Sequence, residues 1–364
     1  MPAFRRSVAT VDVNRPGRAG PPGARLAIGV DAACRVTYQW LNGAPGAASA
    51  KVPHTMTKPR PRQIFGSILC PVDFSTHSRR ALEYAALVAA RAGGSVSTLF
   101  VNDPLLVAAA AAAYDQRALA SRSRVELERF VGKALKSRPS ASRIASFVTL
   151  GQPAREIVKV ARRLESRLIV VGSEGLSGTS RLFFGSTTAQ VLTRAGVPVL
   201  AIPPSGTRPV SAAWPGRRVL SAISLGRHAA HDVATAGELA RWFGAALSLV
   251  HVVEPTHVPS WLTGRPDRHD RSRADAARTR LERLVSTLGP AGTADIHVLV
   301  GDPATQIAAL ATDLGAGLVM VTLRKAPGLF GARQGSITYR VVCEAGTPVL
   351  ALPASWRPDG GRHG

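Results

Sequence analysis

Glycines and hydroxyl residues near the middle of the chain are arranged in a way that suits phosphate binding. Gly172 and Gly175 follow a short apolar run, where glycines let the backbone approach a ligand closely. Gly185 then opens a helix-forming stretch. Three hydroxyl residues follow it: Ser186, Thr187 and Thr188. Because the free N–H groups and the dipole of a helix start favour an anion, this pattern predicts a bound phosphate chain.

An acidic residue stands at the end of another predicted strand, Ile68–Pro71. In an open parallel sheet a ligand lies between strand ends where the strand order reverses. Asp73 can accept from an exocyclic amine or a ribose hydroxyl there, and the backbone of Val72 can pair with a purine edge. The structural alternative is that the glycines only make a tight turn and that Asp73 caps the next helix together with Ser75. Nucleotide binding is favoured because two phosphate-type elements coincide with the acidic strand end.

The chain contains an internal duplication. Three pairs of segments match: Ile68–Val101 with Val219–Val252, Gly151–Ala154 with Gly301–Ala304, and Val197–Pro203 with Thr347–Pro353. Since the register between the matches slips by a single residue, the repeat unit is a whole domain and not a short solenoid repeat. These units are called the first and the second copy below.

Within each copy, apolar strand-like runs alternate with stretches of helical spacing. The strands predicted in the first copy are Ile68–Pro71, Val96–Val101, Ile144–Leu150, Leu168–Val171 and Pro198–Ile202. The predicted helices are Ser75–Ala92, Ala108–Leu135, one that opens at Pro153, and Thr187–Arg194. This alternation predicts an α/β fold with two tandem, doubly wound, mostly parallel five-stranded sheets.

The sequence divides into five parts. These are an N-terminal extension at 1–61, domain 1 at 62–204, a linker at 205–216, domain 2 at 217–353 and a C-terminal tail at 354–364. The extension is rich in Arg, Pro, Gly and Ala, so we expect it to lack a core and to be disordered, or to be mis-assigned with the start at Met56. The tail is expected to be frayed from Ser355 onward.

Composition sets limits on the function. The formal net charge of +23 suggests nucleic acid as a partner, but the basic residues are scattered and aromatic residues make up only 5%. A basic solvated surface is therefore favoured over nucleic-acid binding. The sequence also shows no long uninterrupted apolar stretch, no secretory leader and no disulfide framework among its three cysteines. A cytoplasmic protein that does not enter a membrane is expected.

These motifs resemble those of the universal stress protein family. The ATP signature of that family, G-x2-G-x9-G-(S/T), is complete here as Gly172, Gly175, Gly185 and Ser186. The opening Leu69–Ser75 and the closing Val197–Leu200 are also typical. The resemblance extends over Ile64–Pro204 and Arg217–Pro353, and it implies a fold like that of the adenine nucleotide alpha hydrolases.

The resemblance also implies a ligand and a role for each matching residue. Adenine and ribose would be surrounded by Pro71, Val72, Asp73 and Val101. Ribose and phosphates would be flanked by Val171, Gly172 and Gly175. The phosphates would be held by Gly185, Ser186, Thr187 and Thr188. The ligand would be ATP with Mg²⁺, in a stress-response regulator that acts on an unidentified protein partner through nucleotide-dependent interactions. Family members pair as dimers through their last strand, so the two copies would form that pair internally, with a homodimer of the chain as a further level.

The second copy departs from the signature at three positions. Ser224 replaces Asp73, Thr322 replaces Gly172 and Lys325 replaces Gly175, while Gly335 and Ser336 are retained. A degenerate site kept for packing is favoured over a phosphate clamp formed by Lys325 and Arg324.

No set of residues predicts efficient catalysis or a metal site. No base for activating water stands out, so slow ATP hydrolysis is the most that is expected. The alternatives left open are a slow ATP hydrolase and a non-nucleotide interaction module with a basic surface. His228 and His231, together with Asp232, indicate a polar helix start. His251 is interpreted as a core or dimer-face residue, and Cys70 as a small residue that fills the core.

Overall fold

The computed structural model describes most of both copies and three strands near the N-terminus. The described residues are 8–11, 25–30, 36–41, 64–104, 107, 116–136, 143–172, 185–204, 210–256, 266–288, 293–324 and 337–358. Among them, no helix is long and apolar enough to cross a membrane.

The N-terminal segment contains a small antiparallel sheet that the sequence does not predict. Its strands are β1 (Val8–Val11), β2 (Arg25–Val30) and β3 (Val36–Leu41), in the order β1-β2-β3. The β-branched and aromatic residues of β3 favour a strand despite the Pro- and Gly-rich surroundings. The absence of a core in this segment stays a prediction.

The first copy alternates strands and helices as predicted. Its elements are β4 (Ser67–Val72), α1 (Thr76–Ala92), β5 (Ser95–Asn102), α2 (Gln116–Leu135), β6 (Arg143–Leu150), α3 (Pro153–Arg163), β7 (Leu168–Gly172), α4 (Ser186–Arg194) and β8 (Val199–Ile202). The Ser75 hydroxyl accepts from the N–H of Ser78 and caps α1, which ends at Gly93 in the left-handed conformation with φ 59°. Residues 108–115 of the predicted second helix lie outside the described residues.

The second copy repeats this order. Its elements are β9 (Arg218–Ala222), α5 (Ala229–Phe243), β10 (Ala246–Val253), α6 (Pro266–Ser286), β11 (Ala294–Val300), α7 (Pro303–Asp313), β12 (Leu318–Leu323), α8 (Ile337–Glu344) and β13 (Val349–Pro353). The duplication predicted from the sequence is therefore present in the structure as two α/β units of the same topology.

Within each copy the five strands are parallel and the strand order reverses once. The first copy has the order β6-β5-β4-β7-β8 and the second the order β11-β10-β9-β12-β13. The reversal falls between β4 and β7, and between β9 and β12. The predicted doubly wound, parallel five-stranded architecture is confirmed.

The two sheets join into one ten-stranded sheet through the only described antiparallel pairing within it, between β8 and β13. Leu200 lies opposite Leu350 in this pairing. The two leucines are equivalent positions of the two copies, so an approximate two-fold axis passes between them. Each copy covers the edge strand that the other would otherwise expose.

Aromatic residues fill the contact between the copies on one side of the joined sheet. Trp214, which is 9% exposed, lies edge-on to Tyr84 at 5.0 Å and to Phe243 at 5.5 Å between ring centroids. Its indole Nε1–H donates to the carbonyl oxygen of Gly317 at 2.7 Å. The described part of the linker, 210–216, is therefore packed into the interface and does not run freely between the copies.

The start of the C-terminal tail is also packed, so the prediction of fraying is wrong for residues 355–358. Trp356 stacks on Phe65 with 5.9 Å between centroids, and Phe65 also contacts Trp242 at 5.2 Å. His231 Nε2 lies 3.0 Å from the carbonyl oxygen of Trp356. The tail is held because its indole finds apolar partners that only the paired copies provide.

Candidate functional site

The carboxyl ends of β4 and β7 lie side by side in the first copy. Ile68 pairs with Leu168 and Leu69 with Ile169, so both strands run out at the same edge of the sheet. This edge is the point of strand-order reversal, where open α/β sheets bind ligands. It brings Asp73 and Gly172 together, although they are far apart in the sequence.

Asp73 has a structural role at this edge, and only one of its carboxylate oxygens accepts a hydrogen bond from the described residues. Its Oδ1 accepts from the N–H of Ser75 at 3.1 Å, and its own N–H donates to Ser78 Oγ at 3.3 Å. Among the described residues no donor bonds to Oδ2. Phe74, which follows, has a φ of 65°, a conformation that turns the chain sharply from β4 into α1.

Gly172 lies tightly against the start of α1. A Cβ added to Gly172 would come within 3.1 Å of the carbonyl carbon of His77 and 3.2 Å of its Cβ. A side chain at this position would therefore have to displace the start of α1 by a few tenths of an ångström. No pattern in the sequence points to His77, because its contact with β7 depends on the three-dimensional crossing of strand and helix.

The two ends of the glycine-rich loop are joined by a hydrogen bond. Thr188 Oγ1 donates to the carbonyl oxygen of Gly172 at 2.9 Å, and Thr188 is buried. The hydroxyl hydrogen of Thr188 is thus used within the protein. Residues 173–184, including Gly175, lie outside the described residues.

The start of α4 presents free backbone donors. Gly185 occupies the N-cap position with no side-chain cap, and the first turn contains no acidic residue. Ser186 is exposed and Thr187 half-buried. An uncapped helix start with hydroxyls beside it is an electropositive site that fits phosphate oxygens.

The remaining predicted site residues surround the same edge. Val72 and Val171 are 6% and 4% exposed, so their side chains belong to the core and they can meet a ligand mainly through backbone atoms. Pro71 and Val101 are half-buried. Val72 lies opposite Phe100 on β5, directly before Val101.

The corresponding edge of the second copy holds an ion pair. Arg324 Nη2 binds the carboxylate of Asp232, whose side chain is only 3% exposed, while that of Arg324 is 32% exposed. The other terminal nitrogen of Arg324 lies 3.0 Å from where a Cβ on Gly226 would stand. The disfavoured alternative, in which Arg324 adds charge to a phosphate clamp by Lys325, is opposed by the engagement of Arg324 with Asp232. Lys325, Gly335 and Ser336 lie outside the described residues.

The helix after β9 also begins later than its counterpart. Gly226 stands where Ser75 caps α1, and α5 begins only at Ala229, with His228 at the N-cap and no side-chain cap bond. Thr322 occupies the position of Gly172. The loss of glycine and the later helix start accompany each other.

Other residues whose side chains could bind a metal or react have structural roles. Within the described parts of the chain, no group of three or more His, Cys, Asp or Glu could hold a metal ion. His228 bonds to Arg227, and His231 to the carbonyl of Trp356. Cys70 is fully buried, and burial raises the pKa of its thiol well above the usual range, so the thiol stays protonated.

A family model, described as the universal stress protein family, matches the chain twice, over residues 65–203 and 216–353. The chain belongs to the universal stress protein family. The two matches identify it as a tandem member with two domains of this family in one chain.

Individual universal stress proteins match one copy or both. Over 139 residues the chain is 28% identical to a universal stress protein of Thermus aquaticus, covering 38% of this chain and 99% of that protein. Over 140 residues it is 26% identical to one of Methanocaldococcus jannaschii, covering 38% of this chain and 82% of that protein. The crystal structure of a universal stress protein from Archaeoglobus fulgidus superposes with a TM-score of 0.58 at 21% identity, over 79% of this chain and 96% of that one. That likeness shows the fold across both copies.

Proposed function

We propose that the first copy binds ATP with Mg²⁺ and that nucleotide occupancy regulates how this chain contacts a protein partner in the cytoplasmic stress response. The observation that carries the proposal is the meeting of Gly172, Asp73 and the uncapped start of α4 at the strand-order reversal. Membership of the universal stress protein family supports it, since the ATP signature is complete in this copy.

The residues of the edge fit the parts of the nucleotide. The backbone donors at Ser186, Thr187 and Thr188 match the acceptor oxygens of a triphosphate. The Oδ2 atom of Asp73 and the backbone of Val72 suit adenine or ribose, and the missing side chain at Gly172 allows close approach. Mg²⁺ would be held mainly by the phosphates, since metal-binding clusters are absent from the described residues.

Binding with slow or no hydrolysis is the form of this function that the edge supports. Asp73 provides a carboxylate at this edge, and its Oδ1 already accepts from the N–H of Ser75. A carboxylate that fixes the local backbone is poorly placed to orient an attacking water. ATP is therefore proposed as a regulatory ligand.

The test is a calorimetric titration of the full chain with ATP and Mg²⁺. One ATP per chain is expected, because Ser224, Thr322 and the Arg324–Asp232 pair replace the nucleotide contacts in the second copy. Gly172→Val should weaken binding by at least about tenfold, since a branched side chain meets His77 and fills the ligand's approach.

Gly132→Val is the matched control, because a Cβ on Gly132 meets nothing within 4 Å. It should leave the ATP affinity unchanged within about twofold. Absence of ATP binding by the unmodified chain, or equal affinity of the Gly172→Val variant and the unmodified chain, would overturn the proposal. Two equivalent ATP molecules per chain would refute the assignment to the first copy alone.

A further inference from the structure

A basic cleft of about 290 Å³ opens beside the carboxyl ends of β9 and β10 in the second copy. His251, Arg273 and Arg280 line it, and Leu225, Val253 and Ala277 contribute apolar surface. His251 is half-buried and reaches this cleft, so it is neither a sealed core residue nor part of the pairing between the copies.

The first copy provides an internal comparison for this cleft. Phe74 and Phe100, the positions equivalent to Leu225 and His251, pack together with 4.4 Å between ring centroids. Phe130 from α2 closes on Phe74 at 5.6 Å. Where the first copy is filled by three aromatic rings, the second has an open space with basic side chains.

The imidazole of His251 is oriented toward the cleft by a backbone contact. Its Nδ1 lies 2.8 Å from the carbonyl oxygen of Ile223. Because a carbonyl oxygen only accepts, Nδ1 carries the hydrogen, which fixes the orientation of the ring, and Nε2 is an acceptor. Among the described residues nothing bonds to Nε2.

The two arginines differ in how far they are neutralised. Arg273 pairs with Asp270 at 3.0 Å and donates to the carbonyl oxygen of Glu254 at 3.0 Å. Arg280 donates only to the carbonyl oxygen of Gly226, at 3.4 Å, and within the described part of the chain it has no acidic partner. The cleft therefore carries an uncompensated positive charge beside an apolar wall.

We propose that this cleft binds a small organic anion with a flat apolar body, such as an aromatic carboxylate or phosphate monoester. Arg280 receives the anionic group, and Leu225, Val253 and the ring of His251 contact the apolar body. Arginine is suited to both head groups because its N–H donors form a planar fork.

This site is separate from the nucleotide position of the same copy. Successive side chains of a strand point to opposite faces, so His251 faces the side away from Val252, the counterpart of Val101. The inference therefore goes beyond the proposed ATP binding and does not depend on it.

The test is a titration of the full chain with phenyl phosphate, followed through the ring resonances of ¹³C-labelled His251. We expect a saturable shift of His251, and about tenfold weaker binding in the Arg280→Gln variant, which loses a charge-assisted contact. Arg278→Gln removes the same charge from the same helix but outside the cleft, and it should leave the affinity unchanged within about twofold.

Two comparison ligands define the recognised group. Benzoate binding more tightly than phenyl phosphate would identify a carboxylate, and the reverse order a phosphate monoester. Inorganic phosphate binding as well as phenyl phosphate would refute the role of the apolar wall. Unmoved His251 resonances, or equal losses in the two arginine variants, would overturn the proposal. Since His251 is the readout, failure of ATP binding in the first copy would not change the result.

Discussion

The hydroxyl of Thr188 donates to the carbonyl oxygen of Gly172 over 2.9 Å and ties the first turn of α4 to the end of β7. These residues flank the loop at 173–184, so the bond fixes the distance that the loop must span. The resemblance assigns Thr188 to direct contact with the phosphates. The hydrogen bond gives Thr188 a different role in the proposed ATP site, which is to position the start of α4.

Replacing Thr188 by valine should therefore affect stability and ATP binding together. Thr188→Val keeps the shape but leaves the Gly172 carbonyl without this donor, which should lower the free energy of unfolding by about 1–3 kcal/mol. ATP affinity should fall as well, because the helix start is less firmly placed. Urea unfolding and calorimetry check this, with Thr188→Ser as the control that retains the hydroxyl. Equal effects of serine and valine would contradict the role of the hydrogen bond.

The two residues of the Arg324–Asp232 ion pair should differ in how much stability is lost when each is replaced. Arg324→Met leaves the carboxylate of Asp232 buried without its partner, so we expect a loss of about 3 kcal/mol in the free energy of unfolding. Asp232→Leu should cost less, since the side chain of Arg324 is one-third exposed and can reach water. The double variant should recover much of the loss. A cost below about 0.5 kcal/mol for Arg324→Met would show that the pair is not formed.

Trp214 should couple the two copies during unfolding. Trp214→Ala removes the buried indole between Tyr84 and Phe243, at a cost of about 3–5 kcal/mol. Trp214→Phe keeps an aromatic ring but loses the bond to the Gly317 carbonyl, and it should cost less. Calorimetry should resolve two thermal transitions in the alanine variant if the interface is weakened. A single unshifted transition would be incompatible with a stabilising interface.

The ion pair between Asp302 and Arg340 should give the second copy a pH-dependent stability. Bonds from Arg340, then from the N–H of Thr305, hold the pKa of Asp302 well below its usual range. This stabilisation is present above the unfolded pKa of about 3.9 and is lost as the pH falls through the folded pKa.

Asp302→Asn separates the charge of Asp302 from its capping role, because asparagine caps helices comparably. Its midpoint of urea unfolding should lie below that of the unmodified chain at pH 7, and the difference should narrow below about pH 4. Arg340→Gln should behave similarly, with little further effect in the double variant. A difference that stays constant down to low pH would exclude the ion pair as its source.

The amino-acid sequence by itself determined the duplication, the alternation of strands and helices, and the loss of the ATP signature in the second copy. These features are local, since they depend on periodic apolar positions, on helix caps such as Ser75 and on residue identities at aligned positions. The same local reasoning missed β1 to β3 and the packing of Trp356, whose apolar partner Phe65 lies far away in the sequence, at the start of the first copy.

Only the tertiary structure decided how the site residues are used. It directed the hydroxyl of Thr188 to Gly172, paired Arg324 with Asp232 and set Leu200 opposite Leu350. Each of these contacts joins residues that are distant in the sequence, and its geometry depends on where whole strands and helices cross. Local periodicity gives the elements and their faces, but the partner of a polar side chain is fixed only when those elements pack.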